Sequence, residues 1–105
     1  MNEIAIVYAL YGDRSAAEVV ALQMVDRKLA ACANILGNCL SVYHWQGGME
    51  RAEETPVIFK TSLTQRRALI AALAAAHDYA IPAVSDWRAT TTADYAAWVA
   101  AATQG

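Results

Sequence analysis

The chain reads as an α+β fold: a split βαβ sandwich with element order β-α-β-β-α-β-α and a long central β-ribbon. Three observations predict it. Short apolar or alternating stretches at 3–11, 40–46, 57–60 and 83–88 have the lengths and β-branched or aromatic content of strands. Between them, at 15–31 and 65–76, apolar residues recur at three- and four-residue spacing, as on one face of a helix. The two middle strands follow each other across a glycine pair with no helix between them, the mark of a hairpin.

The elements follow in order. Glu3 to Tyr11 is mostly apolar and fits a central strand covered on both faces. Asp13 or Ser15 can cap the next helix, and Glu18 stands three residues after Ser15 in capping-box spacing. Val19, Leu22, Val25 and Leu29 then mark a core-facing stripe on a helix over 15–31. Arg27 and Lys28 fall in its last turns, where positive charge favours the helix dipole, and Leu29-Ala30-Ala31 closes it.

Cys32 to Ile35 enters the second strand. Leu40, Val42, His44 and Gln46 alternate with Ser41, Tyr43 and Trp45, and Gly47-Gly48 turns the ribbon back. Met49 to Glu54 is polar and Val57 to Lys60 apolar; Pro56, near the start of this third strand, should lie at an edge or a bulge. Thr64 is the next N-cap, and Leu69, Ile70 and Leu73 face a core through Ala76. His77-Asp78-Tyr79 ends that helix, since Pro82 biases Ile81 to an extended conformation. Ala83 to Arg88 is a short strand. Thr90 to Thr92 forms a loop ending in a cap, and Tyr95, Trp98, Val99 and Ala102 share one face of a C-terminal helix.

Composition bounds the function. The 105 residues fit a single domain. A hydrophobic content of 57% against 17% charged is high for a small monomer, even with alanine swelling the count, and favours burial between copies. The net charge is −2, with 8 basic and 10 acidic residues scattered and no basic stripe, so nucleic-acid binding is not expected. The N-terminus lacks a positive n-region and does not read as a signal peptide, and no run reaches the ~18 apolar residues of a membrane span, so the expected location is cytoplasmic, with no membrane partner. Cys32 and Cys39 stand seven apart on what reads as one bent strand, too far for a disulfide at about 3.3 Å per residue unless Gly37-Asn38 makes a tight turn. Two free thiols in a reducing compartment fit better.

Five stretches, taken together and in this order, carry a resemblance. They are Leu29-Ala-Ala-Cys-Ala-Asn-Ile35, Ser41-Val-Tyr-His-Trp-Gln-Gly47, Val57-Ile-Phe-Lys-Thr61, His77-Asp-Tyr79 with Pro82, and Tyr95-Ala-Ala-Trp98. The ordered set, which spans nearly the whole chain, resembles the CutA family of divalent-cation tolerance proteins. The resemblance implies a ferredoxin-like subunit, a compact homotrimer, and an association with copper and other divalent metals. It also implies clefts between subunits near Lys60.

The candidate site residues combine this resemblance with their own chemistry. For metal, they are His77 and Cys32. His77 falls on the family's His-x-Tyr-x-x-Pro motif, but it equally suits a helix end, where it satisfies terminal carbonyls. Cys32 is the family-matched thiol, and equally a small buried residue. Family members commonly carry acidic residues where Ala80 and Ala83 stand here, which removes two oxygen ligands and leaves a soft or borderline ion such as copper, held by nitrogen and sulfur. No Cys-x-x-Cys or His-Glu-x-x-His pair strengthens this. Cys39 matches no family motif, and His44 suits a ribbon edge. For a ligand cleft the candidates are Lys60, Tyr79 and Trp98; for an interface, Tyr43 and Trp45, aromatics on a ribbon too long for one domain to cover. Glu53-Glu54 reads as solvated edge charge.

No serine or cysteine is paired locally with a base, and phosphate and dinucleotide loops are absent, so neither an enzyme nor an organic cofactor is expected. The expected function is a non-catalytic trimer of divalent-cation tolerance type. The alternatives are a PII-like trimeric small-molecule sensor and a scaffold for another protein.

Overall fold

In the computed structural model, which describes residues 2–104, the chain runs β1 (Glu3–Tyr11), α1 (Arg14–Asp26), β2 (Cys32–Ile35), β3 (Cys39–Trp45), β4 (Gly48–Thr61), α2 (Arg66–Ala76), β5 (Val84–Thr90) and α3 (Ala93–Ala102). All strand pairs are antiparallel, in the order β2-β4-β1-β5, with β3 also paired to β4. This is the split βαβ arrangement expected, with the second strand divided in two. No helix among the described residues is long and apolar enough to cross a membrane.

The division and Pro56 explain each other. β4 is a single strand of 14 residues that runs through both the polar and the apolar stretches, so Pro56 lies in its interior rather than near its start. Proline has no N–H for a ladder. Its carbonyl accepts from Leu36 N at 2.9 Å, so the proline's bonding edge faces the bend at 36–38, where β2 has ended and β3 has not begun. Thr55 and Val57 keep the ladder to β1 through Tyr11 and Ala9. Thr55 Oγ1 donates to Asn38 Oδ1 at 2.7 Å, and Arg14 donates to the Leu36 carbonyl at 3.1 Å, so the bend is pinned from both sides. At the ribbon tip the two turn residues are Gln46 (φ 50°) and Gly47 (φ 81°), with Trp45 paired to Gly48. The turn thus starts one residue before the expected glycine pair, and glutamine takes the first left-handed position of a type I′ geometry.

Two apolar layers sit on the sheet. One joins Val7, Ala9, Tyr11, Val57 and Phe59 to Ala17, Val20, Ala21 and Met24 of α1 and to Leu69 and Leu73 of α2. On the opposite face, Ile4, Ile6 and Ala31 pack with Val99 of α3, so α3 covers one end of that face. α1 departs from expectation in two ways. Its core stripe is Ala17, Val20, Ala21 and Met24, whereas Leu22 is 72% and Val19 55% exposed. Both stripes have helical spacing, and periodicity alone does not choose between them. The observed one, with two alanines, lets the helix lie close to the sheet.

α1 also stops at Asp26 instead of running to Ala31. Lys28 adopts φ 60°, its N–H donates to Val25 O at 3.0 Å, and Leu29 N–H donates to Met24 O at 3.0 Å. This is a Schellman end with lysine where glycine is usual, which hid the stop in the sequence. Asp13 is the N-cap, accepting from Ala16 N at 2.8 Å, so the Ser15–Glu18 box is not used. At α2 the N-cap position is Gln65 rather than Thr64, and Ser62 Oγ accepts from Gln65 N at 3.2 Å.

Met24→Ala should cost about 2–5 kcal/mol in denaturant unfolding, and Leu22→Ala no more than about 0.5 kcal/mol. The reverse ranking would restore the expected stripe. Lys28→Gly should stabilise the protein by roughly 1 kcal/mol by relieving the left-handed backbone, read as a raised unfolding midpoint.

Candidate functional site

His77 closes α2 and leaves it in an extended conformation (φ −78°, ψ 139°). Its ring stacks on Tyr11, with centroids 4.7 Å apart and planes 8° apart, and meets Tyr79 at 4.4 Å. Nε2 donates to the Leu10 carbonyl, and Tyr79 N–H donates to Nδ1 at 3.2 Å. Asp78 lies 3.6 Å from Nδ1, but a nitrogen that accepts from Tyr79 has no proton to share with it. The side chain is 0% exposed. His77 therefore ties the end of α2 to β1 instead of capping its own helix's carbonyls.

That tie positions Tyr79. Its hydroxyl donates to Glu54 Oε2 at 2.7 Å. Burial, together with the hydrogen bond to Glu54 and the Glu54 charge, holds the Tyr79 hydroxyl well above the ordinary tyrosine range. Glu54, expected as a solvated edge charge, is only 7% exposed. It alternates onto the sheet face opposite α1 and α2 and borders a groove of about 490 Å³ at the root of the ribbon. Tyr43, Trp45 and Glu50 form its ribbon wall; Tyr79, Ala80 and Ala83 form the other. Ala80 and Ala83 thus border this space. Sequence reasoning missed Glu54 and Glu50. The only available signal was their i, i+4 spacing, which on a strand puts both on the same face.

A second cluster lies at the other end of β4. Cys32 pairs with Lys60 across the β2–β4 ladder, and its Sγ is 3.6 Å from Tyr95 Oη. Lys60 Nζ stands 5.9 Å over the Tyr95 ring, and Tyr95 stacks on Trp98 at 5.7 Å. Burial and the contact with Cys32 push Tyr95 up to about 12. Trp98 is half exposed. Lys60 and Trp98 are therefore brought together, while Tyr79 is not with them. Lys60 and Glu54 are six residues apart on β4, roughly 20 Å at strand rise.

His77 and Cys32 are also at opposite ends, and both His77 nitrogens already hold hydrogen bonds. Among the described residues no three His, Cys, Asp or Glu side chains converge on a point. The residues of one chain do not fit a resident metal ion. Both cysteines are free, and Cys39 pairs with Glu54, well away from Cys32 opposite Lys60. Tyr43 and Trp45 are 38% and 36% exposed on the ribbon, and His44 is exposed beside them.

The model of the CutA1 divalent ion tolerance protein family matches residues 5–102. The chain belongs to the CutA family. Divalent-cation tolerance protein CutA of Salmonella newport is 33% identical over 98 residues, spanning 92% of this chain and 85% of that protein. CutA1 of Ehrlichia chaffeensis has a crystal structure matching with a TM-score of 0.92 at 27% identity, over 99% of this chain and 98% of that one. CutA1 of Oryza sativa matches with a TM-score of 0.90 at 30% identity, over 97% and 94%. The ferredoxin-like fold expected of a CutA chain is the fold observed.

Four tyrosines of this CutA chain, Tyr8, Tyr11, Tyr79 and Tyr95, have hydroxyl pKa values raised above 10.0, chiefly by burial. A raised acid pKa means that the folded chain keeps protons the unfolded chain has lost. Stability from these groups is complete below pH 10.0 and falls as pH rises towards 12. Tyrosinate ultraviolet absorbance should therefore develop at higher pH in native protein than in denaturant. Coincident titrations would contradict this.

Proposed function

We propose that this chain works as a non-catalytic homotrimer in divalent-cation tolerance, and that its functional clefts are completed where subunits meet. The observation that carries this reading is the β3–β4 ribbon. Leu40, Val42 and Met49 are 56%, 57% and 71% exposed, with Tyr43 and Trp45 beside them. β3 pairs only with β4, so its outer edge offers unpaired backbone groups. A long apolar edge of this kind is stable in water when a second copy covers it. Assembly also supports the second cluster as a wall, since Trp98 presents half its surface outward.

The cation response belongs to the assembly in this reading. His77 is committed to holding α2, and Cys32 is the one soft donor beside Lys60 and Tyr95. Copper is then a weak, thiol-dependent ligand of the trimer. The free thiols support a reducing, cytoplasmic location. The PII-like sensor reading is favoured by the groove beside Tyr79 and Glu54, which has the size of a small-molecule site.

Sedimentation at micromolar concentration should give a trimer, and Val42→Asp on the ribbon should shift it towards monomer; a monomeric wild type would overturn the proposal. Trp98→Ala should make the unfolding midpoint more dependent on protein concentration. A trimer that resists dilution unchanged would place Trp98 in the subunit alone. Calorimetric titration with copper should give weak binding that is lost in Cys32→Ser; tight binding that survives this change would reveal a metal centre elsewhere.

A further inference from the structure

The geometry points to the groove at the root of the ribbon as a binding site for a small organic cation, an amine or quaternary ammonium group seated between aromatic rings and two carboxylates. The ladder register builds the ribbon wall. Tyr43 lies directly opposite Glu50, and Trp45 and Glu54 fall on the same ribbon face by alternation. The opposite wall is Tyr79, with Ile81 and the two small residues Ala80 and Ala83. No lysine, arginine or histidine lines the groove among the described residues.

Glu54 supplies the second, independent observation. It is only 7% exposed, yet the hydrogen bond found to its carboxyl group is the one that Tyr79 donates to Oε2. Among the described residues it makes no ion pair, and no hydrogen bond reaches Oε1. Oε1 is not sealed from solvent, so this largely buried acid keeps an accepting oxygen within reach of a donor in the groove, and a cationic donor gains most from it. The tyrosine hydroxyl cannot neutralise it, because that proton stays on Tyr79 throughout the neutral range.

The class of cation follows from the rest of the lining. Among the described residues no three His, Cys, Asp or Glu side chains converge on the groove, and its two carboxylates stand among the Ser41 hydroxyl, rings and methyl groups. A weakly hydrated organic cation suits this lining, since its charge is attracted to aromatic faces and its alkyl surface to apolar walls. A volume of about 490 Å³ lies within the range of small-ligand pockets. The groove shares Val42, Tyr43 and Trp45 with the ribbon surface assigned to assembly, so the test is made on the assembled protein. The cation site uses the Tyr43–Trp45–Glu50–Glu54 face of the ribbon, whereas Leu40 and Met49 alternate to the other face.

The test uses the assembled protein as purified, with tryptophan fluorescence and calorimetry as readouts. The probes are choline and its uncharged isostere with carbon in place of nitrogen. Choline should bind saturably and at least roughly tenfold more tightly than the isostere. Glu54→Gln should weaken choline roughly tenfold, and Glu50→Gln, at an exposed position where folding is not at stake, should weaken it several-fold. Sedimentation of each variant keeps loss of binding separate from loss of assembly. Equal affinity for the isostere, or choline affinity unchanged in both variants, would overturn the proposal. So would the absence of choline binding, or binding only to dissociated subunits, which would mean that a second copy's side chain fills the groove.

Discussion

β4 is the constraint on which the structure depends. It pairs with β1 on one side and with both β2 and β3 on the other. Its inner half belongs to the sheet core through Val57 and Phe59, while its outer half is one strand of the ribbon. Pro56 sits between the halves, and the chain opposite bends where the proline offers a carbonyl but no N–H. A proline inside a paired strand is costly when its neighbour is continuous. Here the neighbour is interrupted, and the interruption separates a short core strand from a projecting one. Glu54 and Lys60, one in each candidate site, are carried on the two halves of this strand.

The second organising contact is the His77 stack. A helix that ends without glycine or a capping side chain needs another reason to stop. At α2 the imidazole turns away from the helix, lies flat on Tyr11, and bonds the chain on both nitrogens. The following residues are thereby held over β4, where Tyr79 reaches Glu54. An aromatic and imidazole motif that suggested ligation is a structural lock, and its consequence for function is the placement of the tyrosine.

The side chains able to ligate a soft metal ion are far apart among the described residues of this chain. The donor atoms are present, but the fold spreads them out. One thiol is beside Tyr95, one is opposite Glu54, and the His77 imidazole is sealed against β1. Ala80 and Ala83 border the groove with methyl groups, beside the rings of Tyr43, Trp45 and Tyr79. A lining of rings and methyl groups suits the organic cation proposed for the groove.

Much of the fold was legible because it follows from local physics. Strand β1, the α2 core residues Leu69 and Leu73, the Thr92 cap and the glycine-bearing ribbon turn all depend on side-chain period, capping chemistry or backbone freedom within a few residues. The gathering of motifs was also enough to indicate the family. What the tertiary structure decided needed contacts between distant residues. Which of two apolar stripes of α1 faces the core depends on how the sheet receives it. The end of α1 depends on a lysine accepting a left-handed backbone, which local propensity disfavours and the path into β2 requires. Glu54 is charged and lies in a polar stretch, so no local rule buries it; Tyr79, brought 25 positions along the chain by the His77 lock, does. Period and propensity act over one or two turns, whereas burial of a charge and the sharing of a site are set by strand register, which only the assembled sheet specifies.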